Sequence, residues 1–161
     1  MNNLQTKYPS TDHITEAFPF LRHNAHGRFI VPEALVVTPD YNMRGHLGEA
    51  LLLCGTAPIF AASIADAAYH LATASINFIV CEHHLPDGPY SDLLSLARST
   101  LTRPPLVVIS TTGDWPDYFE AIDRGAFDFL AYPLIHGELQ RIVSTYLKQN
   151  FENTHGFRRT A

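Results

Sequence analysis

Short apolar runs alternate with longer amphipathic segments from Glu33 onward. The runs are mostly aliphatic or aromatic and lack a regular polar alternation, which is typical of strands buried on both faces of a parallel sheet. We predict five such strands, at residues 34–37, 59–61, 78–81, 106–109 and 127–131.

The segments between and after these runs have the length of helices. We predict five helices, at about residues 43–54, 64–73, 91–101, 117–124 and 137–151. The last segment has one apolar face at helical spacing, formed by Leu139, Ile142, Val143, Tyr146 and Leu147. Gly55 and Gly125 stand just past two predicted helix ends, where a left-handed conformation costs glycine least.

Alternating strands and helices predict an α/β fold, with a doubly wound five-stranded parallel sheet, flanking helices and right-handed crossovers. We place this domain at residues 33–150. Residues 1–32 would form an N-terminal arm, partly disordered or holding a short helix, and residues 151–161 a C-terminal tail. In such sheets the functional crevice lies at the carboxyl ends of the strands. The residues that follow or end four of the strands there are Thr38, Glu82, Ser110 and Tyr132.

Composition and charge narrow the class of protein. Hydrophobic residues make up 46% and charged residues 17%, as in folded globular proteins. The net charge is −5 with His neutral, and no basic cluster is present, so we expect no nucleic-acid partner. Residues 1–15 lack the layout of a signal peptide, and no apolar stretch of about 20 residues could span a membrane. Cys54 and Cys81 predict buried thiols in a reducing compartment. We therefore expect a cytoplasmic protein without membrane contact.

Four motifs lie at the predicted strand ends in a particular order. Residues 78–88 read Phe-Ile-Val-Cys-Glu-His-His-Leu-Pro-Asp-Gly, and residues 124–133 read Arg-Gly-Ala-Phe-Asp-Phe-Leu-Ala-Tyr-Pro. The other two are Leu-Val-Val-Ile-Ser at 106–110, and Val36–Val37 followed by Met43–Arg44. Together they resemble the receiver domain of two-component response regulators over about residues 33–148. The resemblance implies the CheY-like, flavodoxin-like fold with strand order 2-1-3-4-5.

The resemblance also implies that most phosphorylation residues are replaced. The family's two acidic metal ligands fall on Thr38 and Pro39, its phosphoacceptor aspartate on Glu82 and its lysine on Tyr132. Mg²⁺ prefers charged oxygen ligands in octahedral geometry, and a phenol is neutral near neutral pH. We therefore expect no phosphorylation, no bound metal or other cofactor, and no enzymatic activity.

Two positions of the family's conformational switch fall on Ser110, which keeps the hydroxyl, and on Phe129, which keeps the ring but loses the hydroxyl. Glu82 could accept a hydrogen bond from Ser110 or from Tyr132 and act as a fixed substitute for the phosphoryl group, or it could simply be solvated. Both interpretations stay open. The first predicts that Phe129 lies inward, in an active-like position, without any signal.

The function implied is that of a stand-alone degenerate receiver domain, since the chain ends soon after the last helix. It would act in phosphorelay-related signal transduction by binding a protein, whether a kinase, a regulator or an output protein. The resemblance places partner binding, or a homodimer, on the face made by the fourth helix, the fifth strand and the fifth helix.

Three alternatives use the same crevice differently. Asp40 or Asp87 could replace the lost acidic ligands, which would leave a phosphorylatable receiver. A flavodoxin-like ligand-binding protein or enzyme is the second alternative, although the loop after the first strand is a poor anion site. A metal site at His83 and His84 is the third. It is disfavoured because adjacent loop residues point in different directions and no further ligands stand at suitable spacing.

Overall fold

The computed structural model describes residues 22–23, 26 and 29–156, with the side chains of residues 26 and 29–150. A central parallel sheet contains five strands: β3 (Glu33–Val37), β4 (Ala57–Ala61), β5 (Ile76–Glu82), β8 (Leu106–Ser110) and β9 (Asp128–Ala131). Two short antiparallel pairs accompany it, β1 (Arg22–His23) with β2 (Phe29–Ile30) and β6 (His84–Leu85) with β7 (Gly88–Pro89).

The sheet has the order β4-β3-β5-β8-β9. When its five strands alone are numbered along the chain, this is 2-1-3-4-5, so the predicted order is confirmed. The central strand β5 pairs with β3 through Val37 and Cys81, and with β8 through Glu82 and Ile109. The carboxyl ends of these strands therefore lie side by side at one edge of the sheet.

Five helices cover the sheet: α1 (Tyr41–Leu53), α2 (Ile64–Thr73), α3 (Tyr90–Ser99), α4 (Trp115–Arg124) and α5 (Glu138–Gly156). Each predicted helix is present with bounds shifted by up to five residues, and α5 continues beyond the predicted end at residue 151. Gly55 and Gly125 have φ of 72° and 94°, which confirms the predicted left-handed positions past α1 and α4.

Two hydrophobic layers hold the helices against the sheet. One layer joins α1 and α5 to β3 and β5 through residues such as Leu47, Val143 and Phe78. The other joins α2, α3 and α4 to the opposite face. The predicted apolar face of α5 is buried in the first layer. Both thiols are free and buried, and burial raises the pKa of Cys54 and of Cys81.

Most of the predicted N-terminal arm lies outside the described residues. Residues 157–161 of the predicted C-terminal tail also lie outside them. Of residues 1–32, the described part contains the pairing of β1 with β2, through Arg22 with Ile30 and His23 with Phe29. Among the helices that the structure describes, none is long and apolar enough to cross a membrane.

Asp87 fixes the loop that follows β5. It lies in the tight turn between β6 and β7, and its two carboxylate oxygens accept hydrogen bonds of 2.9 Å from the backbone N–H groups of Ile64 and Ala65. These groups belong to the first turn of α2, whose N–H donors have no partner within the helix. The two hydrogen bonds lower the pKa of Asp87. The side chain thus ties the loop to a neighbouring helix.

We expect Asp87→Asn to lower the midpoint of thermal unfolding, because asparagine offers one acceptor oxygen to two donors. The folded-state pKa of Asp87 is lower than its usual value. Its contribution to stability is therefore present above the usual aspartate pKa and is lost as the pH falls through the lower, folded-state pKa. Circular dichroism melts from neutral to acidic pH measure this. Asp123→Asn, which changes an exposed carboxylate on α4, is the matched control. Equal midpoints for Asp87→Asn and the wild type at neutral pH would show that the two hydrogen bonds of Asp87 do not stabilise the fold.

Candidate functional site at the carboxyl ends of the strands

Four predicted site residues lie at the edge where the parallel strands end. Thr38 directly follows β3, Glu82 ends β5, Ser110 ends β8 and Tyr132 follows β9. The sequence prediction that these residues share one edge of the sheet is therefore confirmed. Their side chains, however, do not form one cluster.

The alternation of side chains along each strand explains this separation. Val37 and Cys81 face the layer that contains α2, α3 and α4. The next residues, Thr38 and Glu82, therefore face α1. Ile109 faces α1 and α5, so Ser110, one residue later, turns to the opposite side.

Thr38 is the most tightly held residue of the crevice and is fully buried. Its hydroxyl donates to Glu82 Oε2 at 2.5 Å and accepts from the backbone N–H of Asp40 at 3.1 Å. Its own N–H donates to the carbonyl of Ala61, and its carbonyl accepts from Arg44 Nε at 2.8 Å. Every polar group of Thr38 therefore has a partner.

Glu82 is half-buried and hydrogen bonded, so it is not simply solvated. Of the interpretations that the sequence left open, a hydrogen bond from Ser110 or Tyr132 does not form, because the partner of Glu82 is Thr38 on the neighbouring strand. Register accounts for this choice, since Val37 pairs with Cys81 and the residues that follow them lie side by side. The hydroxyl of Thr38 thus occupies one oxygen of the Glu82 carboxylate.

Ser110 is buried and is used within its own loop. Its Oγ lies 3.0 Å from Thr112 Oγ1 and accepts from the backbone N–H groups of Thr112 and Gly113 at 3.3 and 3.4 Å. This is a side-chain turn of the kind that serine commonly forms. The hydroxyl is kept, as the sequence predicts, and it stabilises the loop from β8 to α4.

Tyr132 points toward α1. Its hydroxyl shares a hydrogen bond of 2.5 Å with Nδ1 of His46, and the two rings stack at 6.1 Å. Phe129 and Ala131 face α4, so the alternation turns Tyr132 to the other face of β9. A cavity of about 350 Å³ lies beside this pair, between α1 and the loop from β9 to α5.

Phe129 lies inward and is only 7% exposed. Its ring makes edge contacts with His83 at 6.0 Å and Tyr118 at 6.1 Å. The ring therefore has the inward position that the sequence predicts. Packing holds it there, while Ser110 is bonded within its own loop.

Asp40, the acidic residue next to the crevice, has a structural role. The Asp40 carboxylate accepts from the backbone N–H of Met43 at 2.8 Å and caps α1. The side chain of Pro39 offers no ligand atom. Within the described residues, no three His, Cys, Asp or Glu side chains are arranged to hold a metal ion. The crevice therefore does not fit the Mg²⁺ that receiver phosphorylation requires.

His83 and His84 belong to an aromatic cluster. Their Nδ1 atoms lie 3.1 Å apart, so the expectation that the two side chains point in different directions is wrong. The His83 ring also stacks on Tyr90 at 5.2 Å, which anchors it against α3. Burial, and then the neighbouring His84, lower the pKa of His83, which favours its neutral form. The Tyr90 hydroxyl is buried without a hydrogen-bond partner in the described part of the chain.

Sequence reasoning assigned no site contact to Arg44, His46 or Thr112. Each lies in a helix or loop next to a strand end, and each bonds to a predicted site residue. The period of two along the strands could have shown that Ser110 and Glu82 face opposite sides. No comparable pattern indicates which helix residue a crevice side chain will meet.

Curated proteins with similar sequences are response regulators. The response regulator protein PilR of Pseudomonas aeruginosa is 30% identical over 116 residues, which cover 72% of this chain and 26% of PilR. The KDP operon transcriptional regulatory protein KdpE of Escherichia coli is 28% identical over 120 residues, which cover 74% of this chain and 53% of KdpE. The chain thus spans between a quarter and about half of these relatives. No family model matches the sequence.

Solved receiver domains share the fold. The receiver domain of the Francisella response regulator 1452 superposes with a TM-score of 0.67 at 21% identity, covering 74% of this chain and 98% of that domain. The beryllofluoride-activated NtrC4 receiver domain, solved as a dimer, gives 0.65 at 21% identity, with 74% and 98% covered. Strand order, motif order and these likenesses agree that the chain is a CheY-like receiver domain of the response-regulator type.

Proposed function

We propose that this receiver domain acts in signal transduction by binding another protein, without being phosphorylated. The observation that carries the proposal is the hydrogen bond between Thr38 and Glu82. It joins a neutral residue at a metal-ligand position to the carboxylate at the phosphoacceptor position. A group that must bind Mg²⁺ and attack a phosphoryl donor is instead part of a fixed contact between two strands.

The charges around Glu82 also differ from what phosphoryl transfer requires. Such transfer depends on cations that neutralise the developing charge on the transferred group. Tyr132 replaces the lysine and bonds to His46. Arg44 is a cation at this edge, and its Nε is bonded to the carbonyl of Thr38. A phosphoryl group on Glu82 would lack the metal and the lysine.

A phosphorylatable receiver with displaced ligands is the alternative function. It requires a free carboxylate at Asp40 or Asp87. Asp40 caps α1, and both oxygens of Asp87 accept from the first turn of α2. Recruiting Asp87 to a metal would compete with two backbone donors, and recruiting Asp40 would compete with the cap of α1. The contacts of Asp40 and Asp87 therefore favour a domain that is not phosphorylated.

The inward position of Phe129 fits a domain whose resting conformation does not depend on a signal. The Phe129 ring is packed between His83 and Tyr118, and burying such a ring is favourable by about 1.5–3 kcal/mol. Without a hydroxyl, the ring has no polar group that favours an outward position. We infer that the inward position is the resting position of this chain.

The face formed by α4, β9 and α5 is the proposed binding surface. Trp115, Phe119 and Ile122 form an exposed stripe on α4 with spacing i, i+4 and i+7. Such stripes on a surface helix mark contact sites for other proteins. The NtrC4 receiver domain is a dimer in its own structure, so association is known within the fold.

Incubation with a small phosphodonor and Mg²⁺ should add no phosphoryl group to this protein, because the metal ligands and the lysine are replaced. Intact mass spectrometry measures the uptake. A receiver domain that keeps the acidic pair and the lysine is the positive control in the same reaction. A stoichiometric mass increase on Glu82 or Asp87 would overturn the proposal.

A double-mutant cycle tests the contact between Thr38 and Glu82. Thr38→Val and Glu82→Ala each remove one partner, and we expect a coupling of about 1 kcal/mol or more in the free energy of unfolding, because the Thr38 hydroxyl is buried. Urea denaturation gives the four values. Glu82→Gln keeps an acceptor oxygen and should retain part of the coupling. Additive effects of Thr38→Val and Glu82→Ala would show that the contact does not form in solution.

A further inference from the structure

An aromatic cavity lies at the amino-terminal end of α4. It has a volume of about 300 Å³ and is lined by Gly113, Trp115, Tyr118, Phe129 and Ala131. This volume is at the lower limit for small-molecule sites, so it suits one inserted side chain better than a cofactor. Trp115 is 73% exposed, so the cavity opens to the solvent.

The three rings of this cavity present surfaces in different directions. Tyr118 stands edge-on to Trp115 with an interplanar angle of 74°, and edge-on to Phe129 with an angle of 85°. The electron-rich faces of such rings attract cations, and tryptophan does so most strongly. A guanidinium or ammonium group on an aliphatic stem therefore matches both the shape and the electrostatics of the cavity.

The charge of α4 favours the same ligand. The segment 114–124 carries four carboxylates and one guanidinium, and that guanidinium, on Arg124, is bonded to Glu120 at 2.7 Å. Asp114 precedes Trp115, and Asp123 lies one helical turn after Phe119. The exposed apolar stripe thus has acidic residues close to both of its ends. A second copy of the chain would bring like charges together, whereas a basic partner would meet opposite charges.

We propose that the stripe of Trp115, Phe119 and Ile122 and the adjoining cavity bind a basic amphipathic segment of another protein, with an arginine or lysine inserted against Trp115. Apolar residues of that segment would cover the stripe, as a helix does when it lies in a groove. The inference rests on the proposed function and specifies the chemistry of the partner.

Trp115 allows a direct test, because it is the only tryptophan in the sequence. The full chain is titrated with two short amphipathic peptides that share one leucine pattern, with arginine at the remaining positions of one and glutamate at those of the other. We expect the arginine peptide to change Trp115 emission saturably, with an affinity that falls as salt is added. The glutamate peptide should leave the emission unchanged.

Two variants test whether the exposed stripe on α4 is the surface that binds the peptide. Phe119→Ala should weaken binding of the arginine peptide by about tenfold, in line with the loss of an aromatic contact at an interface. Tyr69→Ala is the matched control, because Tyr69 is an equally exposed aromatic residue on α2 (65% against 64% for Phe119). It should leave the affinity unchanged, and circular dichroism verifies that both variants fold.

Four results would overturn the inference: equal binding of both peptides, binding of neither, an affinity that Phe119→Ala does not change, or light scattering that shows a dimer which Phe119→Lys dissociates. The last result would identify a second copy as the occupant. Failure of the titration while no phosphoryl group is taken up would leave the proposed function standing. Uptake of a phosphoryl group would refute the proposed function whatever the peptides do.

Discussion

The parallel pairing of β3 with β5 determines how the crevice is built. These strands lie in the middle of the sheet, and the side chains of Val37 and Cys81, which pair across them, are fully buried. A shift of one residue would turn each buried side chain to the other face, so the register is strongly fixed. The same register places Thr38 beside Glu82. The contact between Thr38 and Glu82 is thus a consequence of how the core packs.

The side chains at this edge of the sheet determine what it can do chemically. Several carboxylates close together repel one another unless a metal neutralises them. Here a neutral hydroxyl donates to the carboxylate of Glu82, so this carboxylate has a hydrogen-bond donor beside it instead of a second negative charge. Tyr132, which follows β9, pairs with His46 on α1. Under the proposed function, these contacts replace phosphorylation chemistry at this edge, and the exposed surface of α4 serves for binding.

The sequence was sufficient for the elements and their order but not for the contacts of the crevice. Buried strands and an amphipathic last helix leave periodic patterns, and Gly55 and Gly125 mark helix ends, so these features could be predicted. The partners of Glu82, Ser110 and Tyr132 depend on which face each strand end presents and on the helix or loop opposite. The face that each strand end presents follows from the alternation of side chains along the strand. The helix or loop that lies opposite depends on three-dimensional packing, which no local sequence pattern indicates.

The central claim is that the crevice does not respond to a phosphoryl group. The most direct measurement compares amide proton–nitrogen NMR spectra of the protein before and after addition of Mg²⁺ and beryllofluoride, which mimics a phosphoryl group on a carboxylate. The Thr38–Glu82 contact and the inward Phe129 predict unchanged signals at Glu82, Ser110 and Phe129. Saturable shifts of these signals, spreading to α4, would show that the domain still switches and would contradict the account.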